Sequence, residues 1–98
     1  MRRTKTVTVG EALQEFFRAF RLQGRLDEVR LKESWASVVG SNVQAYTRSL
    51  EIRGRVLYVR VSSAALANNL ALSRARLVES LNRAAGASVI DDIQFNRK

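Results

Sequence analysis

The apolar residues near the start of the chain predict an amphipathic helix. Its apolar stripe repeats at helical spacing and consists of Val9, Leu13, Phe16 and Phe20. Thr8 precedes this stripe and Glu11 follows three residues later, the capping-box pattern that marks a helix start. Gly24 is placed to end the helix in the left-handed conformation. The phenylalanines, with Phe17 beside the stripe, are more typical of a packed core than of a base-stacking platform.

A second, shorter helix is expected from Arg25 to about Val39. Its apolar side consists of Leu26, Val29, Leu31, Trp35, Val38 and Val39. Gly40 is placed to stop this helix. Trp35 has the chemistry to stack on a base or to mark an interface, but a tryptophan on an apolar stripe of a small domain is more typical of the core.

Alternation of apolar and polar residues then predicts a β-hairpin. Leu50 and Ile52 alternate with polar neighbours as far as Gly54, which breaks the pattern. The second alternating run contains Leu57, Val59 and Val61. Two such runs around one glycine are typical of antiparallel strands joined by a tight turn.

A long helix and a last strand complete the pattern. Ser62 or Ser63 is expected to cap the helix, which runs to about Ala85. Gly86 is placed to end it. The apolar stripe of this helix consists of Leu66, Leu70, Leu77 and Leu81. The last strand carries Val89, Ile90, Ile93 and Phe95. The pair Asp91-Asp92 interrupts its alternation, which indicates a bulge or a late strand start.

The order helix, helix, strand, strand, helix, strand predicts an α+β fold with the helices packed on one face of a three-stranded sheet. We expect the last strand to lie parallel to one of the first two, through a right-handed crossover. This layout is similar to KH-like nucleic-acid-binding modules, although the glycine-x-x-glycine loop of true KH domains is absent. The 98 residues predict a flexible basic arm over residues 1–7 and a single domain over residues 8–98.

The net charge of +8 is unevenly distributed. Residues 11–43 and residues 87–98 each carry equal numbers of basic and acidic side chains, so the excess lies in residues 1–10 and 44–86. Most of the basic residues are arginines, whose planar guanidinium suits phosphate oxygens and stacks on bases. This favours a polyanion-binding surface. A face that only confers solubility and a docking face for an acidic protein are the alternatives.

The chain lacks the residues on which most enzymes depend. It contains no histidine and no cysteine, so the commonest general base and the usual zinc ligands are missing. The acidic pairs Asp27-Glu28 and Asp91-Asp92 are more typical of a solvated surface than of a Mg²⁺ site. We therefore predict a binding module that is not an enzyme, with no metal, no cofactor and no small-molecule substrate.

The expected location is the cytoplasm. The absence of cysteine fits a reducing compartment. No apolar run is long enough to span a bilayer, and no signal-peptide core follows the basic start. We expect no membrane partner.

Several segments, in a fixed order, resemble the DciA-type domain of bacterial replicative helicase loaders. They are Trp35-Ala36-Ser37-Val38-Val39-Gly40, the run from Val56 to Ser63 and the stretch from Asn82 to Gly86. The similarity covers about residues 10–96 and lies mostly at packing and turn positions. The compact form, with Ala67-Asn68-Asn69-Leu70 and Ser73-Arg74-Ala75-Arg76, looks like members from Bacteroidetes-type bacteria.

The resemblance implies a protein that binds the replicative DNA helicase and DNA, and that helps the helicase ring engage single strands without an ATPase motor of its own. Larger members of the family carry a disordered tail after this domain that contributes to helicase or DNA binding. Because this chain ends at Lys98, the basic arm or the domain alone is expected to make the helicase contact.

The expected DNA surface combines the arm, the hairpin and the long helix. The candidates for phosphate contact are Arg2, Arg3, Lys5, Arg53, Arg55, Arg60, Arg74 and Arg76. We expect sequence-nonspecific binding to single-stranded or forked DNA at the nucleoid, because no recognition helix of the helix-turn-helix type is evident. Two alternatives remain open: a protein–protein adaptor with a basic docking face, and an RNA-binding KH-like module.

Overall fold

A computed structural model describes residues 8–97 of the chain. The predicted basic arm at residues 1–7 lies outside the described residues. The elements in chain order are α1 (Val9–Glu33), α2 (Trp35–Val39), α3 (Ser41–Tyr46), β1 (Thr47–Arg53), β2 (Val56–Val61), α4 (Ala64–Leu72), α5 (Arg74–Ala85) and β3 (Asp92–Arg97). Within this range, no helix has both the length and the apolar character needed to cross a membrane.

Helix α1 begins where the sequence predicted. The Glu11 amide donates to Thr8 Oγ1 at 3.0 Å and the Thr8 amide donates to Glu11 Oε1 at 3.1 Å, which completes the capping box. The predicted end at Gly24 is wrong, because α1 is 25 residues long and continues to Glu33. A glycine inside a helix costs only about 1 kcal/mol relative to alanine. Gln23 Nε2 donates to Asp27 Oδ1 at 3.0 Å across it, so the helix has local support there.

The separate helix predicted from Arg25 to Val39 does not exist. Its first part belongs to α1, and the break comes at Ser34 instead. The Ser34 hydroxyl donates to the Leu31 carbonyl oxygen at 2.8 Å, a local bond of the kind that competes with helix continuation. Gly40 ends α2 with φ at 94°, as predicted. The short helix α3 was not predicted, since its polar residues give no apolar period.

The long helix predicted before the last strand is two helices. Ser63 caps α4, since the Leu66 amide donates to Ser63 Oγ at 3.2 Å. The helix then breaks at Ser73, and α5 runs from Arg74 to Ala85. Gly86 ends α5 as predicted, and its conformation is left-handed. The break lets each half pack on its own partner, because α4 lies against β3 while α5 lies against α1.

The three strands form one sheet in the order β1-β2-β3. β1 pairs antiparallel with β2, and β3 pairs parallel with β2, so the predicted α+β layout is confirmed. β3 starts late, at Asp92. Val89 and Ile90 therefore precede the strand instead of belonging to it.

The core lies between one face of the sheet and the helices. Its fully buried large side chains are Leu31, Trp35, Leu57, Val59, Val61, Leu81, Ile90 and Ile93. Trp35 is a core residue as expected, and its indole Nε1 donates to Thr47 Oγ1 at 3.0 Å. Asn82 fastens the segment before β3: its Oδ1 accepts from the amides of Val89 and Ile90, and its Nδ2 donates to the Ile90 carbonyl oxygen.

The apolar stripe of α1 is not in the core, contrary to the prediction. Phe16 is 61% exposed and Phe20 is 69% exposed. The exposed apolar residues begin at Val9, and the whole helix is about 37 Å long at 1.5 Å per residue. The molecule is elongated and measures 66 × 21 × 20 Å. The sheet and remaining helices therefore cover only the C-terminal part of α1, where Leu31 is buried, and the N-terminal part extends beyond them.

Candidate nucleic-acid interface

The helices cover one face of the sheet and leave the other face open. Because side chains alternate along a strand, the buried residues Leu57 and Val59 place Tyr58 and Arg60 on the opposite, open face. The pairing adds Ser49, Glu51 and Arg53 from β1, and Gln94 and Asn96 from β3. We call this set, with Tyr58 and Arg60, the open sheet face.

Tyr58 lies at the centre of the open sheet face. It is half-buried and is flanked by Glu51 on β1 and Gln94 on β3. The Arg53 guanidinium carbon lies 4.3 Å from the centroid of the Tyr58 ring, a cation–π arrangement. Arg53 Nε also lies 3.8 Å from Glu51 Oε2. The exposed Arg53 guanidinium therefore lies over the Tyr58 ring.

Arg60 occupies the next position of β2 on the same face. It is exposed and stands between Ser49 on β1 and Asn96 on β3. Tyr58, Arg53, Arg60 and Asn96 line a shallow depression of about 140 Å³. Arginine supplies phosphate contacts, amide side chains hydrogen-bond to base edges, and aromatic rings and guanidinium planes stack on bases. These groups are the ones used by proteins that bind single strands.

Arg48 stands beside this face but was not among the predicted site residues. The β1–β2 register shifts between Thr47 and Ser49, so Arg48 sits at an irregularity in the strand. It is exposed. Bulges of this kind redirect a side chain and blunt the edge of a sheet. Arg48 adds a positive charge at the end of the open sheet face that carries Arg60.

Arg55, a predicted site residue, is engaged within the protein. It follows Gly54 in the hairpin turn with φ at 68°. Its Nε and Nη2 donate to the two carboxylate oxygens of Asp91 at 2.9 and 3.0 Å, and its Nη1 and Nη2 donate to the Ser88 carbonyl and hydroxyl oxygens. Hydrogen bonding from Arg55 lowers the pKa of Asp91 below its ordinary value. We call Arg55, Asp91 and Ser88 the hairpin clamp.

The other predicted arginines fall on different surfaces. Arg74 begins α5, and its Nε lies 3.2 Å from Asp92 Oδ1. Arg76 is exposed on α5, which belongs to the helical layer and not to the open sheet face. The structure thus brings Arg53 and Arg60 together and sets Arg74 and Arg76 apart from them. Arg2, Arg3 and Lys5 lie outside the described residues.

The sequence analysis missed Tyr58 and the amide side chains of β3. Their signal was present in the alternation of β2, which puts Tyr58 on the side away from Leu57 and on the same side as Arg60. Gln94 and Asn96 gave no local signal. They join this face only because β3 pairs with β2 in a register that the sequence alone does not specify.

Three of the four residues in the acidic pairs considered for Mg²⁺ have partners in the protein. Asp27 accepts from Gln23, Asp91 accepts from Arg55, and Asp92 lies beside Arg74. Among residues 8–97, no group of three or more acidic, histidine or cysteine side chains is arranged to hold a metal ion.

The chain was compared with known proteins. A family model described as Dna[CI] antecedent, DciA, matches residues 8–95, which is nearly the whole of the described part of the chain. A search of curated proteins found no match.

Proposed function

Because the chain belongs to the DciA family, we propose that it is a non-enzymatic DNA-binding protein that helps the replicative helicase engage single-stranded or forked DNA. The family is associated with loading of the replicative helicase and is not a known enzyme family. In this proposal the chain acts in the cytoplasm, at the nucleoid, and contacts both the helicase and the strand.

The observation that carries the DNA-binding part is the Tyr58–Arg53 stack on the open sheet face. Bases in a single strand expose their flat faces, and an aromatic ring offers a stacking surface that accepts any base. A base that stacks on this pair brings its flanking phosphates near Arg60 and Arg48. The charge of these arginines then supplies attraction without sequence readout.

The proposal predicts strong salt dependence. Each neutralised phosphate on a single strand releases counterions and contributes about −0.7 to the slope of log affinity against log salt. Contact with about five phosphates gives a slope of about −3.5. An affinity that does not change with salt contradicts an interface built on arginine and phosphate.

The test is fluorescence anisotropy with matched single-stranded DNA, duplex DNA and RNA across a salt series. Tyr58→Leu keeps the apolar bulk but removes the ring, and we expect roughly tenfold weaker binding, since one stacked base is worth about 1–3 kcal/mol. Arg60→Gln is expected to reduce the salt slope by about 0.7. The charge-matched control is Arg83→Gln, which removes an exposed arginine in the last turn of α5.

The outcomes separate the open sheet face from other surfaces. Binding that weakens in Tyr58→Leu and Arg60→Gln but not in Arg83→Gln supports this site. Equal losses in all three variants indicate a diffuse charge effect, and no loss in the first two rejects the site. A clear preference for RNA over DNA favours an RNA-binding module, because the 2′-hydroxyl distinguishes the two.

The helicase part needs its own measurement. Purified host replicative helicase is added to the labelled single strand with and without this protein, and complexes are resolved by size-exclusion chromatography. We expect a complex that contains helicase, protein and DNA together. DNA binding with no co-elution of the helicase rejects the helicase part alone, and co-elution without DNA binding supports an adaptor.

A further inference from the structure

The N-terminal part of α1 carries an apolar surface that the other described residues, within 8–97, leave uncovered. This surface, which we call the apolar arm, consists of Val9, Leu13, Phe16, Phe17 and Phe20. Each of these residues is at least half exposed. The Phe16 and Phe20 rings stack at 6.2 Å, and Phe16 meets Phe17 edge-on at 5.8 Å. Soluble monomers rarely expose clustered aromatics, so this patch indicates an interaction site.

The spacing of the apolar arm is that of a helix–helix seam. Val9, Leu13, Phe16 and Phe20 follow the alternating four- and three-residue steps of a coiled coil. At 3.6 residues per turn, the charged residues of this segment fall on other sides of the helix; they are Glu11, Glu15, Arg18 and Arg21. Arg18 Nη1 and Glu15 Oε2 form an ion pair of 3.0 Å with both side chains about two-thirds exposed. A helix that packs on the seam therefore meets no charged side chain at its centre.

We propose that the apolar arm binds the apolar arm of a second copy of this chain, with the two helices antiparallel. A two-fold axis between Gln14 and Glu15 sets Val9 opposite Phe20 and Leu13 opposite Phe16. Every seam residue then meets an apolar partner, and the same contacts repeat on both sides of the axis, as a closed dimer requires. This inference goes beyond the proposed function and does not depend on DNA binding.

The position of the sheet and helices selects the antiparallel direction. Leu31 lies eighteen residues after Leu13, about five full turns at 3.6 residues per turn, so both point to the same side of α1. At Leu31 that side is covered by α2 and α5. In a parallel pair, the α2 and α5 helices of one copy would occupy the same space as those of the other copy. In an antiparallel pair that overlaps only along the apolar arm, they lie at opposite ends.

The size of the apolar arm fits a modest dimer. With aromatic side chains that present about 150–250 Å² each, the arm offers on the order of 500 Å² per copy. Two copies then bury about 1,000 Å² in total, close to the lower limit for a specific interface. We therefore expect an equilibrium between monomer and dimer that depends on protein concentration.

The test is sedimentation equilibrium of the full chain from about 1 µM to about 500 µM. We expect the mass to rise from 11.0 kDa towards twice that value. Phe16→Glu puts a charge at the centre of the seam and should keep the protein monomeric. Leu22→Glu is the matched control, because Leu22 is an exposed leucine on another side of the same helix. It should leave the association unchanged.

Disulfide trapping tests the direction of the pair, since the chain has no cysteine of its own. Val9→Cys mixed with Phe20→Cys should form a mixed disulfide rapidly under mild oxidation, while each variant alone should cross-link slowly. A wild-type chain that stays monomeric over the whole range overturns the proposal. So does equal loss in Phe16→Glu and Leu22→Glu, or fast cross-linking of each cysteine variant with itself.

Discussion

Arg55 illustrates how a single contact changes the interpretation of a basic residue. The sequence marked it as a phosphate contact because it stands at the tip of a basic hairpin. In the structure its guanidinium donates to Asp91 and Ser88 and holds the turn against the segment before β3. A phosphate at Arg55 would have to compete with a bidentate carboxylate, one of the strong charge-assisted partners of arginine.

The hairpin clamp makes stability depend on pH in the acid range. Hydrogen bonding from Arg55 lowers the pKa of Asp91 from its ordinary value of 3.8. The stabilisation is therefore present above that value and is lost as the pH falls through the lower pKa of the folded state. We predict that Asp91→Asn lowers the melting temperature at pH 7 and that this difference from the wild type shrinks in acid.

Thermal melts followed by circular dichroism between pH 7 and pH 3 check this prediction. Glu79→Gln is the control, because Glu79 is an exposed carboxylate on α5 outside the hairpin clamp. A gap between wild type and Asp91→Asn that stays constant with pH would show that the carboxylate charge contributes nothing to the clamp.

Asn82 is a second residue whose role is visible only in three dimensions. Its side chain bonds the amides of Val89 and Ile90 and the Ile90 carbonyl oxygen. Asn82→Ala leaves these backbone groups without partners beside the core. Because one such group costs about 1–3 kcal/mol, we predict a loss of about 2–3 kcal/mol in the free energy of unfolding, measured by urea denaturation. Asn69→Ala, on an exposed position of α4, should change it by less than about 0.5 kcal/mol.

At the scale of elements, two glycines that looked alike in the sequence behave differently. Gly24 and Gly86 were both expected to end a helix. Gly86 has φ at 79°, whereas Gly24 lies inside α1 with nothing within 4 Å of an added Cβ. We predict that Gly24→Ala raises the free energy of unfolding by about 0.5–1 kcal/mol, since alanine favours the helix. Gly86→Ala should lower it by about 1–2 kcal/mol, since the left-handed region penalises a Cβ.

Urea or thermal unfolding of the two glycine variants tests whether α1 ends at Gly24, as the sequence predicted, or at Glu33, as in the structure. If Gly24→Ala destabilises the protein by as much as Gly86→Ala, then α1 ends at Gly24 in solution instead of at Glu33. Each variant is the control for the other, because both substitutions add one methyl group to the same protein.

Elements with a strong local signal were predictable. The capping box at Thr8, the hairpin around Gly54 and the Gly86 helix end follow from short-range chemistry that the sequence displays. The breaks at Ser34 and Ser73 were not predicted, because serine interrupts a helix only where packing favours a change of direction. The hairpin clamp and the β3 side of the open sheet face depend on long-range pairing, for which the sequence has no local pattern.

The exposed phenylalanines show the limit of a periodicity argument. A stripe at helical spacing establishes that one face of a helix is apolar. It does not establish that the same chain covers that face. Here α1 is longer than the layer that it packs on, so the stripe passes from covered at Leu31 to uncovered at Phe16. The same apolar stripe therefore packs into the core at Leu31 and, in our proposal, against a second copy of the chain at Phe16.

At the scale of the whole molecule, dimerisation through the apolar arm would join two open sheet faces. Two sites held together raise the local concentration of the second site once the first has bound. This gain requires a strand long enough to reach both. A short oligonucleotide, of about 10 nucleotides, matches one small domain and cannot bridge two.

We therefore predict that the advantage of a long strand depends on Phe16. For each protein we take the ratio of its affinity for single-stranded DNA of about 60 nucleotides to its affinity for DNA of about 10 nucleotides. This ratio should be about tenfold larger, or more, for the wild type than for Phe16→Glu. The ratio for Phe16→Glu accounts for the larger number of sites on a longer strand, which both proteins gain equally. Anisotropy titrations above the dimer dissociation constant measure the two ratios, with Leu22→Glu as the control that should match the wild type. Equal ratios for wild type and Phe16→Glu would mean that the two sheet faces do not act on one strand, even if the dimer forms.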